Sequence, residues 1–224
     1  SPQVWAWRRY RVRTLARRVD HLAVVFPFEA ELYSGLTEVS FVGHPALETV
    51  RARRTREETR ASLGLGRDEK LIALLPGSRP AEVRSLLPVM LEGWRRLTPG
   101  PRAVVALAHE SLRPLVAPEL PEGVEARSGE TWDLVHAADL VLVASGSATL
   151  ETALLGTPMI ILYRLSALSF AIARLLVRVP FIGMPNLILG KAAVPELIQD
   201  EARPERIAGE ANAILGDPER AARI

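Results

Sequence analysis

From Lys70 onward the chain alternates short apolar runs with amphipathic stretches, and this alternation constrains the fold more than any other feature of the sequence. Strands are expected at 71–75, 103–106, 124–126, 140–144 and 159–163, and helices at 81–97, 111–117, 132–138, 147–155 and 166–177. Apolar runs of this length suit strands buried on both faces, and the repeated strand–helix–strand order joins such strands in parallel through right-handed crossovers. The expected architecture is α/β, a doubly wound parallel sheet whose ligands gather beyond the carboxyl ends of its strands.

The first part of the chain reads differently. A helix over 2–19, a strand over 21–26, a helix over 29–34 ended by Gly35 and a strand over 39–42 resemble the tail of another α/β domain. Three segments follow: 1–44 as the end of that domain, 45–69 as a linker with a helix, and 70–224 as the second domain. The linker helix is opened by the capping box Thr55-Arg56-Glu57-Glu58 and stops at Gly64. The chain starts Ser1-Pro2 and shows no signal-peptide order, so it reads as a piece of a longer protein.

Composition narrows the chemistry. With 48% apolar residues in 224, the chain can bury a full core. It has no cysteine, which excludes disulfides, zinc knuckles and a thiol nucleophile and suits a reducing compartment. The charge-free stretches 152–163 and 179–190 contain Gly and Pro and fall short of the ~20 apolar residues of a membrane-spanning helix. Net charge is +2, yet Arg8, Arg9, Arg11, Arg13, Arg17 and Arg18 face only Asp20 within the first twenty residues. That cluster is either a solvated helix face or a surface for phosphates and anionic lipid head groups. Nucleic acid is not an expected partner: the basic segment has no recognition motif, and Trp5, Trp7 and Tyr10 read as helix packing residues.

Two loops fall where strand ends meet helix starts. Leu75-Pro76-Gly77-Ser78-Arg79 combines a flexible Gly77, a hydroxyl at Ser78 and the guanidinium fork of Arg79, followed by Pro80 at a first helical position. In the second, Ser145, Gly146 and Ser147 allow close approach to the backbone, and Glu151 lies one turn further along the same helix face, where its carboxylate can accept both hydroxyls of a ribose. Both are expected to offer free N–H groups to phosphates. A third stretch, Gly183-Met184-Pro185-Asn186-Leu187, is expected as a rigid turn that aims the Asn186 amide at phosphate or sugar hydroxyls, or else satisfies its own backbone. No G-x-G-x-x-G, phosphate-loop lysine or closely spaced aspartate pair occurs, and His21, His44, His109 and His136 lack metal-ligand spacing. No metal and no cofactor are therefore expected. His44, between Gly43 and Pro45, is a cleft candidate, and His136 is expected to be structural.

Taken in order, Ser1 to Trp7, Phe41-Val42-Gly43-His44-Pro45, Leu75 to Arg79, Ala144 to Glu151, Pro185-Asn186-Leu187 and Val194 to Gln199 resemble the lipid-A-disaccharide synthase family along nearly the whole chain. The resemblance implies the nucleotide-binding, Rossmann-like C-terminal domain of a B-type glycosyltransferase, preceded by the end of its N-terminal domain. It implies an inverting, metal-independent transfer from a UDP-linked 2,3-diacylglucosamine donor to a 2,3-diacylglucosamine 1-phosphate acceptor. Arg79 would then meet the nucleotide or its phosphates, Ser145 to Ser147 the diphosphate, Glu151 the ribose or the nearby loop, and Asn186 the donor. Glu196 and Gln199 would line the same cleft, unless they belong to a solvated helix opened by Pro195. The acceptor site and general base would lie largely in sequence preceding this chain, so no catalytic base is assigned and the piece alone is expected to be inactive. Ser147 stands where the family more often has threonine, which keeps the hydroxyl.

The stretch 166–189 is either a core helix or, through Phe170, Ile172, Leu175, Leu176 and Phe181 with Arg174 and Arg178, a contact for acyl chains and phosphates at an anionic membrane. The implied setting is cytoplasmic, with or without peripheral contact at the inner face of the inner membrane, and a homodimer is compatible with it. The competing readings are a UDP-sugar epimerase of the same fold and a nucleotide-binding remnant. An epimerase needs an acid–base pair at the second sugar carbon, for which no carboxylate pair is evident.

Overall fold

The computed structural model describes residues 10–66, 68–98, 100–165, 170 and 180–224. Two compact units are formed, one from Ser1–Thr49 with Ser166–Phe181 and one from Val50–Leu165 with Ile182–Ile224.

In the first unit, the helices Arg11–Ala16 and Pro27–Tyr33 accompany a parallel pair of strands, β1 (His21–Val24) and β2 (Glu38–Phe41), with His21 opposite Glu38. Val12, Ala16, Leu22, Val24 and Tyr33 form its core. His44 stacks on Phe26 at 5.8 Å between ring centroids, and its Nδ1 accepts the Ala46 N–H at 3.1 Å.

In the second unit, β3 (Leu71–Leu75), β4 (Arg102–Leu107), β5 (Glu125–Ser128), β6 (Leu140–Ala144), β7 (Met159–Tyr163) and β8 (Glu196–Ile198) form one sheet in the order β5-β4-β3-β6-β7-β8, with every pairing parallel. Alternate side chains explain why both faces are covered. Ile72 and Leu74 join a core with the helices Pro80–Arg95 and Pro204–Leu215, whereas Leu71, Ala73 and Leu75 join one with Leu63 and the helix Thr131–Ala137. Within the sheet the chain leaves β3 for β4 and β5 on one side, then returns to place β6 on the other. Crossovers therefore diverge between β3 and β6, the topological switch point of a doubly wound sheet.

β3, β6 and β7 match the expected bounds, and the capping box at Thr55 is present in both directions, Thr55 Oγ1 accepting from Glu58 N and Glu58 from Thr55 N. The helix it opens, Arg56–Ser62, is built into the second unit: Arg56 and Arg60 reach Asp139, which also accepts the Leu71 N–H at 2.8 Å. Other segments differ from expectation. The helix expected over 111–117 is a short α turn, Arg113–Val116, between two 3₁₀ turns, because Pro114 and Pro118 cannot supply helical N–H donors. Residues 184–189 form a helix rather than a turn, with Pro185 in its first turn where a missing N–H is harmless. Pro195 precedes an edge strand, not a helix. The helix expected over 166–177 lies outside the described residues apart from Phe170, and so do Ile172, Arg174, Leu175, Leu176 and Arg178.

Candidate functional site

A cleft of about 560 Å³ opens at the switch point, lined at its floor by Leu75, Ala106 and Ala144 from the ends of β3, β4 and β6. This volume lies within the ~300–1,000 Å³ usual for small-molecule sites. Seven of the residues singled out in the sequence line it together: Gly77, Ser78, Arg79, Ser145, Gly146, Ser147 and Glu151.

The two loops arrive in different chemical states. At the first, Glu82 folds back over the start of its own helix, accepting the N–H groups of Ser78 and Arg79 at 3.2 and 3.3 Å and pairing with Arg79 Nη1 at 2.9 Å. Those donors, expected to be open to phosphate, are filled by the protein's own carboxylate, an electrostatically favoured guest at a helix N-terminus. Gly77 makes room for it. Its φ is +113°, and a Cβ there would sit 2.5 Å from Glu82 Oε2. Ser78 Oγ makes no hydrogen bond among the described residues, and the Ser78 carbonyl lies 2.9 Å from His109 Nε2. Burial, and after it the Glu82 carboxylate, push the phenol of Tyr163 above its ordinary pKa, with Arg79 opposing.

At the second loop the donors are open. Ser145 N pairs with Leu162 O and Thr149 N with Gly146 O, but the N–H groups of Gly146, Ser147 and Ala148 meet no acceptor among the described residues. They head the helix Ser147–Leu154, which carries no acidic residue in its first turn. Oriented N–H groups at such a terminus favour an anion. One turn on, Glu151 accepts the indole N–H of Trp132 at 2.7 Å, which fixes the carboxylate at the cleft wall.

Asn186, Glu196 and Gln199 do not line the cleft. Asn186 is fully buried, and all four of its amide positions are used: Oδ1 accepts Ala193 N and Val194 N at 2.9 and 2.8 Å, and Nδ2 donates to Val194 O and Glu196 Oε1, each at 2.8 Å. Glu196 also accepts Ile182 N and Gly183 N at 2.9 and 3.0 Å. A Cβ on Gly183 would come within 2.3 Å of Ile161 Cδ1 and 3.0 Å of Glu196 Oε1, so a larger residue here requires the Ile161 side chain to move. The pair reaches the cleft indirectly, because Ser145 Oγ donates to Ile182 O at 3.2 Å. Gln199 clamps the turn after β7, its side chain accepting Leu165 N and donating to Leu165 O. An asparagine after proline was readable as a turn former that satisfies its own backbone; the longer-range partners it takes here, Val194 and Glu196, were not.

Sequence reasoning missed Glu82, Trp132, Asp133, Arg51 and Arg53. A glutamate three residues into a helix is a recognisable capping signal, so Glu82 was within reach. Asp133 is buried, and its Oδ1 accepts Arg53 N and Arg54 N at 2.6 and 3.0 Å across a separation of some eighty positions. No local pattern announces that. Among the described residues, no group of three or more His, Cys, Asp or Glu is placed to hold a metal, and no helix is long and apolar enough to cross a membrane.

Comparison with known proteins agrees with this architecture. The Lipid-A-disaccharide synthetase family matches residues 1–223. The lipid-A-disaccharide synthase of Syntrophus aciditrophicus is 50% identical over 228 residues, covering 98% of this chain and 60% of that protein. That of Trichlorobacter lovleyi is 45% identical, covering 98% and 59%. The chain thus spans about 60% of the length of these relatives. Among solved structures, Anabaena HepE in complex with UDP and glucose has a TM-score of 0.55 at 14% identity, covering 100% of this chain and 61% of that one. WaaG, a glycosyltransferase involved in lipopolysaccharide biosynthesis, has a TM-score of 0.53 at 15% identity, covering 90% and 55%. At such identities the likeness concerns the fold, the Rossmann-like sheet of B-type glycosyltransferases. The chain belongs to the lipid-A-disaccharide synthase family.

Proposed function

We propose that the second unit holds the UDP-linked donor of a glycosyl transfer that joins UDP-2,3-diacylglucosamine to 2,3-diacylglucosamine 1-phosphate, giving lipid A disaccharide 1-phosphate and UDP. The observation that carries this reading is the open row of N–H groups at Gly146, Ser147 and Ala148, set at the switch point beside a fixed carboxylate. In this reading the diphosphate rests on those donors, and Glu151 takes the ribose hydroxyls. Arg79 exchanges Glu82 for a phosphate oxygen as charge develops on the leaving diphosphate, the moment at which preorganised donors count most. The transfer is proposed as inverting and metal-independent. Asn186, Glu196 and Gln199 act as supports of the loops. Family membership favours transfer over epimerisation.

Because the chain covers about 60% of its relatives, transfer is assigned to the whole protein and nucleotide binding to this chain. The first unit is proposed as the end of the acceptor-side domain. A cytoplasmic location is proposed, with peripheral contact at an anionic membrane as an option suited to acylated substrates, and a homodimer is compatible with it. UDP titration calorimetry on the chain tests the binding half, and UDP release by the intact protein, dependent on both acylated sugars, tests the transfer. Absence of UDP binding removes the donor assignment; UDP release that ignores the acceptor removes the transfer.

A further inference from the structure

The acidic side chains of the cleft are already engaged. Glu82 is held by Arg79, Glu130 by Arg54 with Arg127 at 3.8 Å, Asp133 by two backbone N–H groups and Arg54 Nε, and Glu151 by the Trp132 indole. Two cations on the same wall are not. Arg51 and Arg53 line the cleft, and neither guanidinium makes an ion pair or hydrogen bond among the described residues. Their arginine neighbours contrast with them, since Arg54, Arg56 and Arg60 are all tied to carboxylates.

The segment that carries them has no helix or strand of its own, yet it is fixed. Asp133 is 6% exposed and uses one oxygen to hold the N–H groups of Arg53 and Arg54. Burying a carboxylate is costly unless it is well bonded, so this arrangement favours one placement of the segment. The placement turns Arg54 toward Glu130 and leaves Arg51 and Arg53 on the cleft. Two unneutralised guanidinium groups over a recess that also presents open N–H donors match a ligand with more than one phosphoryl charge.

We propose that Arg51 and Arg53 are a second phosphoryl contact of this cleft, positioned by Asp133, which makes binding depend on the charged part of the ligand rather than on its nucleoside. The inference rests on the donor reading for the identity of the ligand as a nucleoside diphosphate; a sugar 1-phosphate offers the same chemistry. Calorimetric titration of the chain and of its Arg51→Ala/Arg53→Ala variant with UDP, uridine and glucosamine 1-phosphate separates the cases. The expected result is at least a ~10-fold loss of UDP affinity at low salt, shrinking at high salt, with uridine affinity unchanged. Arg102→Ala, which removes a cation away from the cleft, is expected to leave UDP affinity as it was. UDP affinity within twofold of the wild type, or equal losses for UDP and uridine, overturns the inference. If the wild type ignores UDP but binds glucosamine 1-phosphate through these arginines, the inference stands and the donor reading falls. If it binds neither, both fall.

Discussion

Replacing Asn186 by alanine separates a ligand-contacting asparagine from a structural one. The substitution removes four hydrogen bonds at a fully buried site: two backbone N–H groups lose their acceptor, Val194 O loses a donor, and Glu196 keeps only Ile182 N and Gly183 N. At about 1 kcal/mol net per bond, with water entering to recover some of it, the loss is about 2–4 kcal/mol. The readout is native-state hydrogen exchange of β3 and β6, whose slowest amides report global opening of the second unit. UDP affinity should fall less, by about 1 kcal/mol, through slackening of the Ser145 Oγ bond to Ile182 O rather than loss of a contact. Asn186→Asp adds a charge beside Glu196, so its deficit should exceed that of alanine at neutral pH. Abolished UDP binding with unchanged exchange protection would refute the assignment and return Asn186 to the donor.

Gly77→Ala forces a side chain into a left-handed conformation and against Glu82, and is expected to cost about 1–3 kcal/mol by chemical denaturation, with UDP affinity lost as well. Glu82→Gln removes a negative charge from the cleft wall while leaving a cap, so UDP should bind several-fold tighter at low salt and uridine should be unaffected in calorimetry; weaker UDP binding would mean that Glu82 orients Arg79 rather than competing for it. Trp132→Phe frees Glu151 from its 2.7 Å bond and should narrow the preference for UDP over 2′-deoxy-UDP, as Glu151→Gln should do more strongly. Asp139→Asn weakens the junction of Arg56, Arg60, Lys70 and the Leu71 N–H and should lower stability by about 2–4 kcal/mol without changing UDP affinity.

What the sequence made legible was whatever depends on neighbours in the chain. The buried strands announce themselves because each must be apolar on both faces, and the glycine-bearing turns follow from the parallel crossovers that such strands require. Hence the Ser145–Ser147 loop and Glu151, picked out by their place after an apolar run, line the cleft at the end of β6. Polar side chains resisted the same reading, because a side chain's role depends on which backbone groups the fold leaves unpaired around it. Arg79 and Asn186 looked alike as ligand-seeking groups, yet one lines the cleft and the other is consumed by a loop and an edge strand that its own sequence did not announce. The first loop shows the limit most sharply. It has the glycine, the hydroxyl and the guanidinium of a phosphate cradle, but a carboxylate one helical turn away reaches its N–H donors first. The second loop lacks such a carboxylate, and that difference, a single residue type in the first turn of a helix, determines which of two similar strand ends stands open to an anion.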